Sequence, residues 1–112
     1  MRIAVIGSRN FNDYELLKKE LLKFPTIKEI ISGGAKGADS LARQFADEHN
    51  ITICEYKPQY EQYGRNAPIV RNKIIAENCD ELIAFWDFKS KGTKFTIDHA
   101  RKLEKKIHIV QF

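Results

Sequence analysis

The residues best suited to chemistry in this chain are the glycines of the segment Ile-Ile-Ser-Gly-Gly-Ala-Lys-Gly-Ala-Asp-Ser, residues 30–40. Apolar residues typical of a strand lead into a loop with three glycines, and the loop leads into an amphipathic helical pattern. Such a loop leaves backbone N–H groups uncovered at a helix N-terminus, where the aligned peptide dipoles favour an anion. Glycine suits the loop because a Cβ would obstruct the close approach of a phosphate. The segment therefore predicts a phosphate-binding loop at Gly33, Gly34 and Gly37.

The spacing of these glycines matches neither of the common nucleotide-binding fingerprints. GxGxxG is absent, and so is the GxxxxGK[ST] pattern of P-loop kinases and ATPases. Asp39 is expected to be the N-cap of the following helix, since aspartate is among the residues preferred there. Two other roles stay open for its carboxylate, namely contact with a ribose hydroxyl or with an N–H of the glycine loop.

Three other segments carry groups that bind anions in other proteins. The first supplies a hydroxyl and a guanidinium, although a plain turn with a surface arginine explains it as well. The second places an arginine within about one turn of a predicted helix start, where it binds an anion or forms a surface salt bridge. The third supplies N–H groups and hydroxyls at another helix start. The first segment contains the candidates Gly7, Ser8 and Arg9. The second contains Arg71 and Asn72, and the third contains Ser90, Gly92 and Thr93.

Aromatic residues near these segments have two interpretations each. Tyr60 and Tyr63 either stack on a base or cover an edge of the core. Trp86 is either a core residue or a platform for a purine. No histidine is a persuasive catalyst, and the cysteines and histidines lack the spacing of a metal site, so we expect neither a metal nor a cofactor.

Five short apolar runs alternate with four helical patterns, and these elements must position the candidate groups. Near-continuous apolar runs predict strands buried on both faces, and the alternation with helices predicts a parallel sheet. We expect an α/β fold, a Rossmann-like three-layer sandwich of about five parallel strands with helices on both faces. The predicted strands are Ile3–Ile6, Glu29–Ser32, Thr52–Tyr56, Leu82–Trp86 and Ile107–Val110.

The predicted helices begin at recognisable caps. The first follows Asn12, which forms a capping box with Glu15, and the second follows the glycine loop. The third begins at 66–68, Asn-Ala-Pro, and the fourth at Thr93. Nearly all the unusual residues lie in strand-to-helix connections, which meet at one edge of a parallel sheet. The four candidate segments are therefore expected to converge on one crevice at the topological switch point.

Composition limits the functional classes. The 112 residues are enough for one domain with its own core. No apolar run is long enough to span a bilayer, the N-terminal residues do not resemble a signal peptide, and Cys54 and Cys79 form no disulfide framework. We therefore expect a cytoplasmic protein without membrane association. The net charge of +4 is too mild to decide between nucleotide binding, nucleic-acid binding and ordinary solubility.

Four motifs in order along nearly the full chain resemble the YspA/cpYpsA-related branch of the SLOG superfamily, which includes Lonely Guy phosphoribohydrolases and the DNA-processing protein A family. The resemblance implies one SLOG-type Rossmann-like domain over residues 1–112, and it leaves a homodimer open. The motifs are Gly7-Ser8-Arg9-x-Phe11, Ser32-Gly33-Gly34-Ala35-x-Gly37-Ala38-Asp39, Pro68-x-x-Arg71-Asn72 and Ala84-Phe85-Trp86-Asp87-x-x-Ser90-x-Gly92-Thr93.

The resemblance supports phosphate binding by this chain more strongly than it supports catalysis. The glycine loop, Arg71 and the pair Gly92-Thr93 resemble the nucleoside monophosphate site of Lonely Guy enzymes. The catalytic glutamate of those enzymes falls at Thr96, which supplies no carboxylate. Cleavage of an N-glycosidic bond needs such a group beside the sugar, so Asp87 or Asp39 would have to replace it.

Three functions follow, in order of preference. The first is binding or sensing of a nucleotide or nucleotide-derived phosphorylated ligand at the C-terminal edge of the sheet. The second is hydrolysis or transfer at an N-glycosidic bond, with Asp87 or Asp39 as catalytic candidates. The third is single-stranded nucleic-acid binding, which needs a basic groove with stacking aromatic residues.

Overall fold

The computed structural model describes all residues from Met1 to Phe112. Its strands are β1 (Arg2–Gly7), β2 (Glu29–Ser32), β3 (Thr52–Glu55), β4 (Glu81–Trp86) and β5 (Lys106–Gln111). They form one sheet in the order β3–β2–β1–β4–β5, in which every neighbouring pair is parallel.

The helices are α1 (Tyr14–Leu21), α2 (Ala38–Glu48), α3 (Tyr60–Tyr63), α4 (Ala67–Asn78) and α5 (Lys91–Lys102). The short helix α3 and the 3-10 turn at Gly64–Asn66 occupy a connection that the sequence predicts as a loop. No helix combines the length and hydropathy that a bilayer span requires.

Two apolar clusters lie on opposite faces of the sheet, and alternate residues of β1 enter different clusters. Ile3 and Val5 pack with Leu17 of α1 and Phe45 of α2. Ala4 and Ile6 pack with residues of α4 and α5 on the other face. Because both faces are covered, the strands read as continuous apolar runs rather than as an alternating pattern. The predicted sandwich of five parallel strands is confirmed.

Several predicted boundaries are wrong by one or two residues, and β1, β4 and β5 each extend beyond their predicted ends. The N-cap of α1 is Asp13, whose Oδ1 accepts from Leu16 N at 3.1 Å, so Asn12 does not form the predicted capping box. Helix α5 begins at Lys91 rather than Thr93, because the side chain of Ser90 accepts from Thr93 N and acts as its N-cap. Strand β3 ends one residue before the predicted end, at Glu55.

The direction of chain progression across the sheet reverses between β1 and β4. From β1 the chain moves through β2 to β3 at one edge, then returns past β1 to β4 and β5. In open α/β sheets a ligand crevice forms outside the carboxyl ends of the strands at such a switch point. The connections after β1 and β4 are therefore the ones most directly placed beside a ligand.

Candidate functional site

A crevice of about 480 Å³ lies at the carboxyl ends of β1 and β4. Its walls come from the connections after β1, β2 and β4 and from the first turns of α4, so four sequence-distant segments do converge there. Only three of the 16 lining residues are hydrophobic, which makes the crevice polar. The lining residues are Ile6, Gly7, Ser8, Arg9, Asn10, Ala35, Asp39, Pro68, Arg71, Asn72, Ile75, Asp87, Ser90, Gly92, Thr93 and Thr96.

The structure brings most, though not all, of the predicted binding residues to this crevice. Gly33, Gly34 and Gly37 are not part of the lining, although Ala35 of the same loop is. The two candidate catalytic carboxylates, Asp39 and Asp87, both line the crevice. The predicted binding residues that line it are Gly7, Ser8, Arg9, Arg71, Asn72, Ser90, Gly92 and Thr93.

The guanidinium of Arg71 is anchored through two of its three nitrogens. Its Nη1 donates to Gly33 O at 2.8 Å and, at 3.5 Å, to Tyr56 O. Its Nε donates to the side chain of Asn72 at 2.8 Å. Nη2 has no acceptor in the protein, and Arg71 forms no ion pair. A guanidinium held through Nε and Nη1 while Nη2 is free is preorganised to donate to an oxygen of a carboxylate or phosphate.

Burial disfavours the charged form of the Arg71 side chain but does not neutralise it. Arg71 is half-buried, and the loss of solvent lowers its pKa, while the nearby carboxylate of Asp39 raises it. An arginine side chain stays protonated in proteins under all ordinary conditions. Arg71 therefore presents a permanent and partly desolvated positive charge to the crevice, where an anion gains more than it would in open water.

Two amides of the glycine loop have acceptors within the protein. Gly34 N donates to Ser32 Oγ at 3.2 Å, and Ala35 N donates to Asp39 Oδ2 at 3.0 Å. The prediction that Asp39 is the N-cap of α2 is wrong, because Gly37 holds that position without a side-chain cap. Asp39 instead contacts a loop N–H, one of the two alternatives that the sequence leaves open. A carboxylate of the chain itself therefore occupies one of the loop donors that the sequence assigns to a phosphate.

The carboxyl group of Asp39 is buried, with 8% of the residue exposed. Burial raises the pKa of Asp39, while the N–H of Ala35 and the positive charge of Arg71 oppose that rise. Desolvation is the largest contribution, so ionisation of Asp39 is harder in the folded protein than in water.

Close packing accounts for two glycines of the loop. Gly37 has a φ of +80°, and a Cβ there would collide with the carbonyl oxygen of Ser8. A Cβ on the buried Gly33 would overlap Nη1 of Arg71. These glycines therefore let the loop after β2 lie directly against the loop after β1 and against Arg71. Gly34 is exposed beside Glu55.

The loop after β4 is held by its first residue, Asp87. Asp87 Oδ1 accepts from the backbone N–H groups of Lys89 and Ser90, each at 2.9 Å. These two bonds lower the pKa of Asp87, which is therefore ionised near neutral pH and unsuited to donating a proton. Asp87 N in turn donates to Ser8 Oγ at 3.3 Å, so this loop is tied to the end of β1.

The hydroxyls at the start of α5 bond to one another. Ser90 Oγ lies 3.0 Å from Thr93 Oγ1 and also accepts from Thr93 N. Thr96 is 2% exposed, and its Oγ1 donates to Gly92 O at 2.9 Å. The position of the Lonely Guy glutamate is thus filled by a hydroxyl that satisfies the helix backbone, which leaves Asp39 and Asp87 as the carboxylates of the crevice.

Sequence reasoning missed the groups that orient Arg71. They are the backbone carbonyls of Gly33 and Tyr56, and a carbonyl gives no signal in residue type. It also missed Asn10, which lines the crevice beside Arg9 and whose position directly after the Gly-Ser-Arg motif was the available signal. No three histidine, cysteine, aspartate or glutamate side chains lie close enough to hold a metal ion.

Known proteins share both the sequence pattern and the fold. The profile of the YspA, cpYpsA-related SLOG family matches residues 1–63, more than half of the chain. The Gene 61 protein of Mycobacterium phage D29 is 29% identical over 111 residues, which cover 90% of this chain and 89% of the phage protein.

Two solved structures of DNA processing protein A (DprA) have the same fold. DprA from Streptococcus pneumoniae has a TM-score of 0.84 at 18% identity, over 99% of this chain and 50% of that chain. DprA from Helicobacter pylori, whose structure concerns its single-stranded DNA binding mode, has a TM-score of 0.74 at 22% identity, over 97% of this chain and 64% of that chain. The chain thus spans between half and two thirds of these DprA structures. With its motifs, its sheet order and the profile match in agreement, the chain belongs to the YspA, cpYpsA-related SLOG family.

Proposed function

We propose that the crevice binds a nucleotide or another nucleotide-derived phosphorylated ligand. The observation that carries this proposal is the state of Arg71, which is anchored through Nη1 and Nε while Nη2 is free. A phosphate oxygen is the natural acceptor for Nη2, because guanidinium–phosphate bonds are short, charge-assisted and directional. Arg9, which is exposed at the same crevice, adds a second positive charge.

The balance of charge in the crevice favours a phosphorylated sugar over a bare anion. The two arginines of the lining are matched by two carboxylates, Asp39 and Asp87. Asp87 uses Oδ1 for two backbone N–H groups, which leaves Oδ2 as the oxygen that would accept from a ligand. An ionised carboxylate accepts hydroxyl protons well and repels a second phosphate. We therefore place the phosphate at Arg71 and the sugar hydroxyls toward Asp87.

Thermal unfolding against a panel of nucleoside mono-, di- and triphosphates, ribose 5-phosphate and inorganic phosphate tests the proposal. A ligand present at 100 times its Kd adds about 2.7 kcal/mol to the free energy of unfolding. For a domain of this size that raises the Tm by roughly 10 °C or more. Isothermal titration calorimetry on the hits then gives the Kd.

Arg71→Ala is the decisive variant. The loss of hydrogen bonds to a charged group, each worth about 1.5–3 kcal/mol, should weaken the ligand by roughly 10- to 150-fold. Arg101→Ala is the matched control, because it removes the same charge from an exposed position on α5 away from the crevice. The proposal fails if no phosphorylated compound binds, or if Arg71→Ala and Arg101→Ala bind the same ligand equally well.

A second candidate function is single-stranded DNA binding. The observation that favours it is the pair of tyrosines on α3, of which Tyr60 is 58% and Tyr63 38% exposed. Exposed Lys57 and Arg65 lie on either side of them in the chain. Base–aromatic stacking beside positive charge is the usual means of holding a single strand. An oligodeoxythymidine should then bind with strong salt dependence, and Tyr60→Ala should weaken it.

Hydrolysis of an N-glycosidic bond remains a third possibility for any nucleotide that binds. It is the least supported of the three, because Thr96 carries no carboxylate and the pKa of Asp87 is held low. Each nucleotide hit should be incubated with pure protein and assayed for free base. Release of base that Asp87→Asn abolishes would reassign the crevice as a catalytic site.

A further inference from the structure

Phe88 adopts a backbone conformation that is unusual for a bulky residue. Its φ is +63°, in the left-handed region that large side chains rarely occupy. The residue is also 50% exposed, so an apolar ring stands in water on the connection after β4. Strain of this kind persists only where the surrounding structure enforces it, and it concentrates at ligand sites. Neither the strain nor the exposure benefits the isolated domain.

The ring of Phe88 is held in place by stacking. Its centroid lies 4.3 Å from that of Trp86, with an angle of 25° between the planes. Trp86 is fixed in turn, because its Nε1 donates to Ser90 O at 3.0 Å. Asp87 ties the backbone on the far side of Phe88 through Lys89 N and Ser90 N. The loop therefore presents a flat aromatic surface that is already ordered.

This surface belongs to a connection that lines the crevice, although Phe88 and Trp86 are not themselves part of the lining. Asp87 and Ser90 both line the crevice, and Phe88 stands between them in the chain. Arg71 binds carbonyls at the ends of β2 and β3, whereas Phe88 follows β4. Two strand spacings separate β2 from β4, which is about 10 Å. A ligand that touches both Arg71 and Phe88 is thus longer than a free phosphate and needs an aromatic group at its far end.

We propose that Phe88, backed by Trp86, is the stacking surface for the base of the nucleotide whose phosphate lies at Arg71. This inference rests on the proposed function and adds a base-binding subsite to it. A planar base gains from the face of a preordered ring, and stacking tolerates any base. One pair of rings is too small an apolar surface for a stable protein interface. The exposed side chains of Lys89 and Lys91 suit an anionic ligand rather than an apolar one.

Trp86 is the sole tryptophan, so its fluorescence reports directly on this surface. Adenosine, guanosine, cytidine and uridine monophosphates should quench its emission and bind about 10-fold or more tightly than ribose 5-phosphate. Phe88→Leu keeps an apolar cover over Trp86 but lacks an aromatic face. It should reduce nucleotide affinity toward that of ribose 5-phosphate and leave the affinity for ribose 5-phosphate unchanged.

The control is Phe24→Leu, which makes the same change near the end of α1, where the ring packs on His108. Circular dichroism establishes that both variants are folded. If nucleotides bind in an Arg71-dependent way, yet Phe88→Leu retains full affinity and Trp86 emission does not change, the base subsite is wrong and the proposed function stands. If neither nucleotides nor ribose 5-phosphate bind, both fail. Quenching by an oligodeoxythymidine but by no mononucleotide would also overturn the inference.

Discussion

The loops after β2 and β4 both resemble anion sites in sequence, yet they differ in how closely they pack against the rest of the protein. Side chains of the protein accept amides in both loops. The loop after β2 is also packed closely on its neighbours, because a Cβ on Gly37 would collide with Ser8 O. The loop after β4 is open outward, with an exposed ring at Phe88 and free space where a Cβ would stand on Gly92. A glycine loop therefore need not bind a ligand through its own amides. Hydrogen-bonding capacity that the protein leaves unused, as at Arg71, is the better guide to the ligand.

The largest effect on stability should come from adding a Cβ to Gly37 in the glycine loop. Gly37→Ala combines a left-handed backbone with a collision against Ser8 O, and should cost about 3–5 kcal/mol of unfolding free energy. Urea denaturation measures the loss. A cost below about 1 kcal/mol would show that the loop moves away without penalty, and that the two loops are less different than we infer.

The next largest effect should come from removing the carboxylate of Asp39, which accepts from Ala35 N in the glycine loop. Asp39→Ala leaves the part-buried N–H of Ala35 without its acceptor, which should cost about 1–3 kcal/mol. Asp39→Asn keeps an oxygen acceptor in the same place and is the matched control. Equal stability of the alanine and asparagine variants would mean that the bond to Ala35 N contributes nothing to folding.

The pH dependence of the same residue has a defined sign. Because burial raises the pKa of Asp39, the folded state binds this proton more tightly than the unfolded state does. Its contribution should therefore stabilise the protein as pH falls through the raised pKa toward the ordinary value of about 4, and should be lost as pH rises. Asp39→Asn should be at least as stable as the parent at pH 7. The difference in unfolding free energy between the two proteins, measured from pH 7 to 4, should shrink as the pH falls.

A smaller effect is expected at the start of α5. Ser90→Ala removes the N-cap bond to Thr93 N and should cost about 1 kcal/mol. Ser90→Gly should cost only a few tenths of that, since glycine is tolerated at an N-cap. Thermal unfolding separates the two variants. A loss well above 2 kcal/mol would instead place Ser90 among the residues that hold the loops together.

The smallest effect has the opposite sign. Gly92 lies in the first turn of α5, and a Cβ there meets nothing within 4 Å. Gly92→Ala should therefore stabilise the protein by about 0.5–1 kcal/mol through helix propensity. The contrast with Gly37→Ala, measured in the same denaturant, is the sharpest test of the difference between the two loops. Destabilisation by Gly92→Ala would show that the loop after β4 is as tightly packed as the loop after β2.

The helix starts show how far local patterns reach. Proline and asparagine at 66–68 locate α4 correctly, because proline at an early helical position acts through its own φ. At α1 the sequence predicts Asn12 as the cap, but Asp13 is the cap, because its side chain accepts from Leu16 N. At α2 the sequence favours Asp39 as the cap, but that carboxylate turns into the loop and toward Arg71 instead. The sequence thus predicts the position of a helix cap to within one turn, but it does not predict which group a polar side chain will bond.

The sequence by itself determined the parallel α/β sandwich and the edge of the sheet at which the polar connections meet. Apolar periodicity reports burial residue by residue, and strand-to-helix connections of a parallel sheet must share one edge. Only the tertiary structure decided which polar groups remain available. Arg71 is oriented by carbonyls that lie 38 and 15 residues away in the chain, and Asp39 consumes a loop amide. Every residue type carries the same backbone carbonyl and almost every one the same N–H, so their pairing leaves no mark in the sequence and emerges only when the chain has folded.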